Sequence, residues 1–318
     1  MEAGELKLKI SVVISTYNGE QYIEEQMTSI LRQSRKADEV LILDDCSNDN
    51  TTMIINNFIN ENSLNNEWHL SINSKNQGWR KNFKKGLCMA SGELVFPCDQ
   101  DDIWNHEKLE ICERVMGENP NIQLLTSEYT EFCGKIPPLV RSTSYTVKKH
   151  SHKENLFRIN YPGCTFCIKK EFLQQIVDYW DESFPHDATI LRFANMMDGF
   201  YSTDAKLILW RKYEDSSFSK ELKARKNIEE KMEWIKYAKA MVSQLDRFIH
   251  TVEVPNDKQK RKLLDKNRNW ILQRENLFLT HKKIYILKLV KYFNCYPYKA
   301  MFVSDVVMAI KEMKENKQ

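Results

Sequence analysis

The sequence predicts an α/β fold: a mostly parallel sheet with helices on both faces, followed by a helical extension. Two observations carry this. Over the first hundred residues, apolar strand-like runs alternate with stretches of helical periodicity, and the strand-like runs end in polar clusters. Beyond about residue 220, helical stripes replace the alternation and the composition turns basic.

The elements follow in order. Ile10–Ile14 reads as a buried strand, and Ile23, Met27, Ile30 and Leu31 form the stripe of a returning helix. Val40–Leu43 is the next strand and completes a βαβ unit. Ser47 to Asn50 are capping residue types that open a second helix carrying Ile54, Ile55, Phe58 and Ile59. Leu70–Ile72 is a short strand, Phe83 to Ala90 a short helix, and Leu94–Phe96 a further strand. Such runs, apolar on both faces, predict a sheet covered on both sides. From about 105 to 218 the pattern is less regular. Pro137-Pro138 and the polar run Arg141 to Lys153 predict a surface loop, and Tyr161 to Thr165 a tight turn into the strand Phe166–Ile168. Ile228, Met232, Ile235, Ala238, Val242, Leu245 and Ile249 make one helical stripe. Leu263-Leu264, Trp270-Ile271 and Leu277-Phe278 recur every seven residues on a second helix, with a break at Val254 to Asp257.

With 318 residues, 42% hydrophobic and 29% charged, the chain exceeds one small module and has apolar material for a sizeable core, which excludes a disordered protein. The net charge of +3 conceals an asymmetry: 24 basic and 32 acidic residues up to 218, then 23 basic and 12 acidic. Two parts are expected, residues 1–218 and residues 219–318. The nine glycines include neither G-x-G-x-x-G nor G-x-x-x-x-G-K-[ST], so any bound phosphate needs another handle. Eight cysteines contain one C-x-x-C, Cys164 to Cys167, with no partner pair at zinc spacing, and read as reduced, mostly buried thiols. MEAGELKLK lacks the apolar core of a signal peptide and no run reaches ~18 apolar residues, so a cytoplasmic location is expected.

In a parallel sheet, ligands bind outside the carboxyl ends of the strands. The residues there are Ser15-Thr16-Tyr17-Asn18, Asp44-Asp45 and Asp99-Gln100-Asp101-Asp102. Three carboxylates in four residues repel one another unless a cation neutralises them, and oxygen ligands suit Mg²⁺ or Mn²⁺, which also bind substrate phosphates. An acidic surface turn is the plainer alternative for the cluster by itself.

The order VVISTYNGEQYIEEQMTSILRQS, VLILDDCSNDNT, NQGWRKNFKKGL and ASGELVFPCDQDDIWNHEKL resembles the nucleotide-binding half of inverting family 2 glycosyltransferases with the GT-A fold, closely over residues 10 to about 110 and loosely to about 218. DQDDIW, with Gly163-Cys164-Thr165 and His186-Asp187, is similar to a bacterial subset of rhamnosyltransferase-like cell-surface polysaccharide enzymes. The resemblance implies a catalytic domain over 1–218 and a dTDP- or UDP-sugar donor. It places Thr16, Tyr17, Asn18, Asp44, Asp45, Arg80, Lys84 and Asp99 against the nucleotide, with Asp44 accepting the base N3–H and Arg80 and Lys84 facing the diphosphate. Asp101 would be the main metal ligand and Asp187 the base that deprotonates the acceptor hydroxyl. Trp104, Gly163, Cys164, Thr165 and His186 would shape the acceptor side. Asp187 also suits a helix cap before Ile190, Leu191, Phe193 and Ala194. Relatives in this subset often have Y-R-x-H where this chain reads Trp210-Arg211-Lys212-Tyr213, so Tyr213 stands where a histidine could add a metal ligand, and Arg211 or Lys212 could neutralise the diphosphate instead.

The alternative is a non-catalytic scaffold subunit of a polysaccharide assembly complex, for which Tyr213 is the hint. The resemblance also implies a glycan or lipid-linked acceptor. In the basic part, Ile286, Leu289, Val290 and Phe293 form a helical face beside Lys282, Lys283, Lys288 and Lys291, which suits an anionic membrane surface. Packing on the rest of the protein is the other reading of that helix. No nucleic-acid-binding module is recognisable.

Overall fold

The computed structural model describes residues 7–151, 154–158, 161–213 and 227–315; the expected boundary at 218 lies outside them. The chain divides into two compact units, Met1–His150 with Tyr161–Tyr213, and Ser151–Asn160 with Glu214–Gln318.

The first unit is built on a sheet with four parallel strands at one end: β1 (Ile10–Thr16), β2 (Glu39–Asp44), β3 (Trp68–Ile72) and β4 (Leu94–Asp99), side by side as β3-β2-β1-β4. Ile10, Val12, Val13 and Ile14 are all fully buried, although successive side chains point to opposite faces, so both faces are covered. The covering helices include α1 (Ile23–Leu31), α2 (Thr51–Glu61) and α3 (Trp79–Met89). Within the expected run Ser47 to Asn50, the residue at the cap position, Asn50, makes no side-chain cap, and Asp49 Oδ1 accepts the Thr51 amide at 3.0 Å.

The other half of the sheet mixes directions. β5 (Ile103–Trp104), α4 (Lys108–Glu118), β6 (Leu124–Phe132), β7 (Val147–Lys149), β8 (Phe166–Lys169), α5 (Lys170–Ile176), α6 (His186–Met196) and β9 (Phe200–Arg211) follow in sequence. β8 lies antiparallel between β4 and β6, β6 runs parallel to β9, and β5 and β7 both run antiparallel to β9. β7 falls inside the polar run read as a surface loop; its three side chains are exposed, so it carries no apolar signal.

The second unit holds α7 (Ile228–Thr251), α8 (Asp257–Thr280), α9 (Lys283–Val290) and α10 (Lys299–Glu315). The expected stripe on α8 is buried, and on α7 Ile235, Ala238, Val242, Leu245 and Ile249 are buried while Ile228 and Met232 are half-buried; Asn256 in a left-handed conformation starts α8 after the break. One segment of this unit comes from the middle of the sequence. Phe157 packs its ring on Trp234 and Trp270, and the Glu154 carbonyl accepts from Asn267 at 3.0 Å.

Candidate active site

Register aligns the strand ends. Thr16 pairs with Asp44 across β1 and β2, and Ser15 with Asp99 across β1 and β4, so three parallel strands end in one polar row. The antiparallel run of β8 against β4 returns the turn Gly163–Thr165 to the same end, beside Asp99. The pairing Ile103↔Leu209 and Trp104↔Ile208 then delivers the residues after β9 to the acidic cluster.

Asp99, Asp101 and Asp102 converge there. Burial, followed by the charges of Asp101 and Asp187, pushes the Asp99 carboxyl up to about 7. That influence joins Asp187 electrostatically to the cluster across 88 residues of sequence. Burial raises Asp101 as well, opposed by the Tyr213 hydroxyl, which donates to Asp101 Oδ2 at 2.6 Å. Asp102 is buried and also raised; its Oδ1 accepts the Arg211 amide at 3.1 Å, and its Oδ2 has no N–H or O–H donor.

Carboxylate and thiol atoms of Asp99, Asp102 and Cys164 lie within 4.8 Å of one another. Burial holds the Cys164 thiol well above its ordinary range, so it is a protonated neighbour and the carboxylates are the anionic donors. Hard oxygen donors, an orphaned buried carboxylate oxygen and mutual repulsion together fit Mg²⁺ or Mn²⁺.

Lys108, missed in the sequence, lies in this cluster. It is fully buried, donates to the Cys164 carbonyl at 2.7 Å, and sits 3.6 Å from the centre of the Trp104 ring. Its positive charge opposes the rise at Asp99, while burial lowers its own pKa. In K-L-E-I-C it looks like any lysine at a helix start, since nothing local marks it as buried.

Several expected contacts differ. Trp104 is 1% exposed, with its ring on Lys108 and near Phe96, so it lies beneath the cluster and offers no face to an acceptor. Cys164 belongs with the acidic cluster, and Thr165 is buried with its hydroxyl on the Pro162 carbonyl. Asp45 is consumed by the loop before α3, accepting from Asn73, Gln77 and Gly78 at 2.9, 2.9 and 2.7 Å. Lys84 donates to the Trp180 carbonyl at 2.8 Å and lies near Glu182, which removes it from a diphosphate role in this arrangement. Asn18, left-handed at φ 48°, accepts from the Asn48 amide and fixes one loop against another. Asp44 is buried and accepts from Ser47 N, Ser47 Oγ and Thr16 Oγ1, so a base reaches it only if the Ser47 hydroxyl turns aside. Tyr17 is 42% exposed beside it. Arg211 cannot readily turn to a diphosphate: it donates to Glu25 at 2.7 Å and to the Asp101 carbonyl at 2.9 Å, stacked on Tyr22 and Phe132.

Asp187 does not cap α6; Pro185 holds that position, and Asp187 sits in the first turn with Oδ1 on the Ala188 amide at 2.5 Å. Burial raises its pKa, while that amide, Arg192 and Arg80 oppose the rise. Arg80 therefore acts electrostatically on Asp187, and Arg192 was not foreseen.

His186 is buried, its ring 4.1 Å from that of Phe83 and 6.1 Å from that of Trp79. A Cβ on Gly163 would come 2.1 Å from His186 Nε2, so the glycine admits the ring. Burial lowers the imidazole to about 3. Below ~6.5 the unfolded chain takes up a proton that the folded chain refuses, so stability falls with acidification. The linkage gives about 2 kcal/mol between pH 7 and 5. Denaturant unfolding at both pH values should show that loss in the natural protein and a clearly smaller one in His186→Phe; equal losses would refute it.

The sequence matches the family described as Glycosyl transferase family 2 over residues 11–193. It is 35% identical over 120 residues to the poly(ribitol-phosphate) beta-N-acetylglucosaminyltransferase TarS of Staphylococcus aureus, covering 37% of this chain and 20% of that one. It is 28% identical over 215 residues to the dTDP-rhamnosyl transferase RfbG of Shigella flexneri, 64% of this chain and 72% of the relative. The chain thus spans only about a fifth of TarS. Among solved structures, TarS residues 1–349 in complex with UDP-GlcNAc superpose with a TM-score of 0.59 at 22% identity, covering 90% of this chain and 80% of that one. The mannosyltransferase PcManGT of Pyrobaculum calidifontis, in complex with GDP-Man and Mn²⁺, gives 0.55 at 14%, covering 98% and 88%. These likenesses establish a GT-A type fold, and the family match spans more than half of the sequence. The chain belongs to glycosyl transferase family 2.

Proposed function

We propose that the protein is a metal-assisted inverting glycosyltransferase. It moves a sugar, rhamnose first among those to test, from a dTDP- or UDP-linked donor to a hydroxyl of a glycan or lipid-linked glycan in bacterial surface polysaccharide synthesis. The observation that carries this reading is geometric: the register of β1, β2 and β4 sets Asp44 and Asp99 in one polar row, with carboxylate and thiol atoms of Asp99, Asp102 and Cys164 within 4.8 Å of one another, and the charge of Asp187 reaches Asp99. The relatives' named donors, a dTDP-sugar and UDP-GlcNAc, support the donor class.

Asp101, with Asp99 and Asp102, would hold Mn²⁺ or Mg²⁺, which when bound neutralises charge on the departing diphosphate. Asp187 takes the acceptor proton from the side opposite the leaving group, its raised pKa bringing it closer to the working pH. Arg80 and Arg192 favour its ionised form against burial. The exposed Tyr17 ring supplies a stacking surface for the base, and Thr16 orients Asp44. His186 and Gly163 shape the acceptor side through their mutual packing. The basic C-terminal part, residues 219–318, serves location, holding the enzyme peripherally at the inner face of the cell membrane. Among the described residues, no helix is long and apolar enough to cross a membrane.

The test is nucleoside diphosphate release from dTDP-rhamnose and a panel of UDP-sugars, with and without Mn²⁺, using a cell-extract acceptor. Release with one donor and its loss on chelation are expected. The scaffold reading, favoured by Tyr213 occupying Asp101, predicts no release from any donor.

Tyr213→His exchanges a hydroxyl that occupies Asp101 for a ring nitrogen able to ligate. Calorimetric titration with Mn²⁺ should show roughly tenfold tighter binding. Unchanged affinity would place Tyr213 outside the metal's reach.

A further inference from the structure

The surface of α9 and α10 differs from the face read in the sequence. Leu289 is fully buried, and Ile286 and Phe293 are half-buried. The residues turned outward on α9 are Ile284, Leu287 and Val290, with Leu287 68% exposed. At steps of three, they lie on one side of the helix, and Lys291 shares that side. α10 repeats the arrangement. Lys299, Val303, Val307, Ile310 and Lys314, at steps of four, four, three and four, form a single exposed stripe of aliphatic residues between two lysines.

Charge in this stretch is mostly of one sign. From 282 to 314 the sequence contains Lys282, Lys283, Lys288, Lys291, Lys299, Lys311 and Lys314, all exposed, and two carboxylates, of which Glu312 is half-buried. The other, Asp305, is fully buried against Arg274 and Lys231. Apolar side chains amid exposed lysines, with Glu312 the one carboxylate reaching the surface from 282 to 314, complement a surface that is both apolar and anionic.

We infer that α9 and α10 dock on an anionic lipid surface, with Ile284, Leu287, Val290, Val303, Val307 and Ile310 entering the headgroup boundary and the lysines meeting lipid phosphates. This rests on the reading that the enzyme works at a membrane, and it names the face that does so. A second copy of the chain is a poorer occupant, since a two-fold contact of this patch with itself would set lysine against lysine.

The experiment is co-sedimentation of the full chain with vesicles of phosphatidylcholine alone or of equimolar phosphatidylcholine and phosphatidylglycerol, at low and high salt. Binding only to the anionic vesicles, weakened by salt, is expected. Leu287→Asp with Val307→Asp, both at exposed positions, should weaken it roughly tenfold or more. Failure of the natural chain to bind anionic vesicles at low salt overturns the inference, as does undiminished binding by the double variant. A dimer in light scattering that the double variant dissolves assigns the face to a second copy, which also overturns it. Nucleotide-sugar turnover with a soluble acceptor is measured on the same samples. Vesicle binding without turnover counts against the transferase reading alone, and turnover without vesicle binding against the docking surface alone.

Discussion

Asp187→Asn is expected to lower kcat by about two to four orders of magnitude while donor binding stays near its natural level. The asparagine keeps the shape of the side chain and can still accept the Ala188 amide, so α6 keeps its first turn. What it loses is the ability to take a proton. The expected loss falls on kcat because the carboxylate acts on the acceptor as the new bond forms. Calorimetric binding of dTDP or UDP and an unchanged circular dichroism spectrum are the controls. Activity within a few-fold of natural would remove Asp187 from the role of base and leave it a first-turn carboxylate that favours the helix N-terminus. Asp101→Ala, by contrast, should abolish the response to Mn²⁺, so the two variants fail in distinguishable ways.

The second large effect concerns stability. Asp305→Ala should cost about 3–5 kcal/mol, since removing one partner leaves buried charge uncompensated. Asp305 and Arg274 are fully buried; Arg274 Nε donates at 2.7 Å, Lys231 Nζ at 2.6 Å and the Tyr296 hydroxyl at 3.1 Å to this one carboxylate. The guanidinium lies 4.7 Å from the centre of Trp234 and 5.2 Å from that of Trp270, an aromatic surround with no other carboxylate at hydrogen-bond distance among the described residues. Glu275→Ala, which breaks the partly exposed pair with Lys239, should cost below about 1 kcal/mol. Denaturant unfolding followed by tryptophan fluorescence compares the two. Equal small losses would show that water reaches the Asp305 cluster.

The acidic cluster was legible because its neighbours are. Leu94–Cys98 is apolar throughout, and in a sheet covered on both faces the first polar residues after such a run fall at its end. Asp44 and Asp45 look equivalent by that rule. They differ because Asp45 meets Asn73, Gln77 and Gly78, whereas Asp44 meets Thr16 and Ser47. Lys84 carried the same ambiguity, and the Trp180 carbonyl, 96 residues away, decided it. Lys108 and Arg192 were not legible, because a buried cation inside a helix leaves no periodic trace.

By itself the sequence determined the alternation of strands and helices, the carboxylates at strand ends, the two long helices and their buried stripes. All of these depend on which residues avoid water at a spacing of two or 3.6, a local property. The tertiary structure decided which polar groups remain available. The β5–β9 pairing brings Arg211 and Tyr213 onto Asp102 and Asp101 across more than a hundred residues. On α9, apolar residues surround the helix, and packing buried Leu289 while leaving Leu287 outside. A hydrogen bond or an exposed face is a relation between distant segments, and only their arrangement in space assigns it.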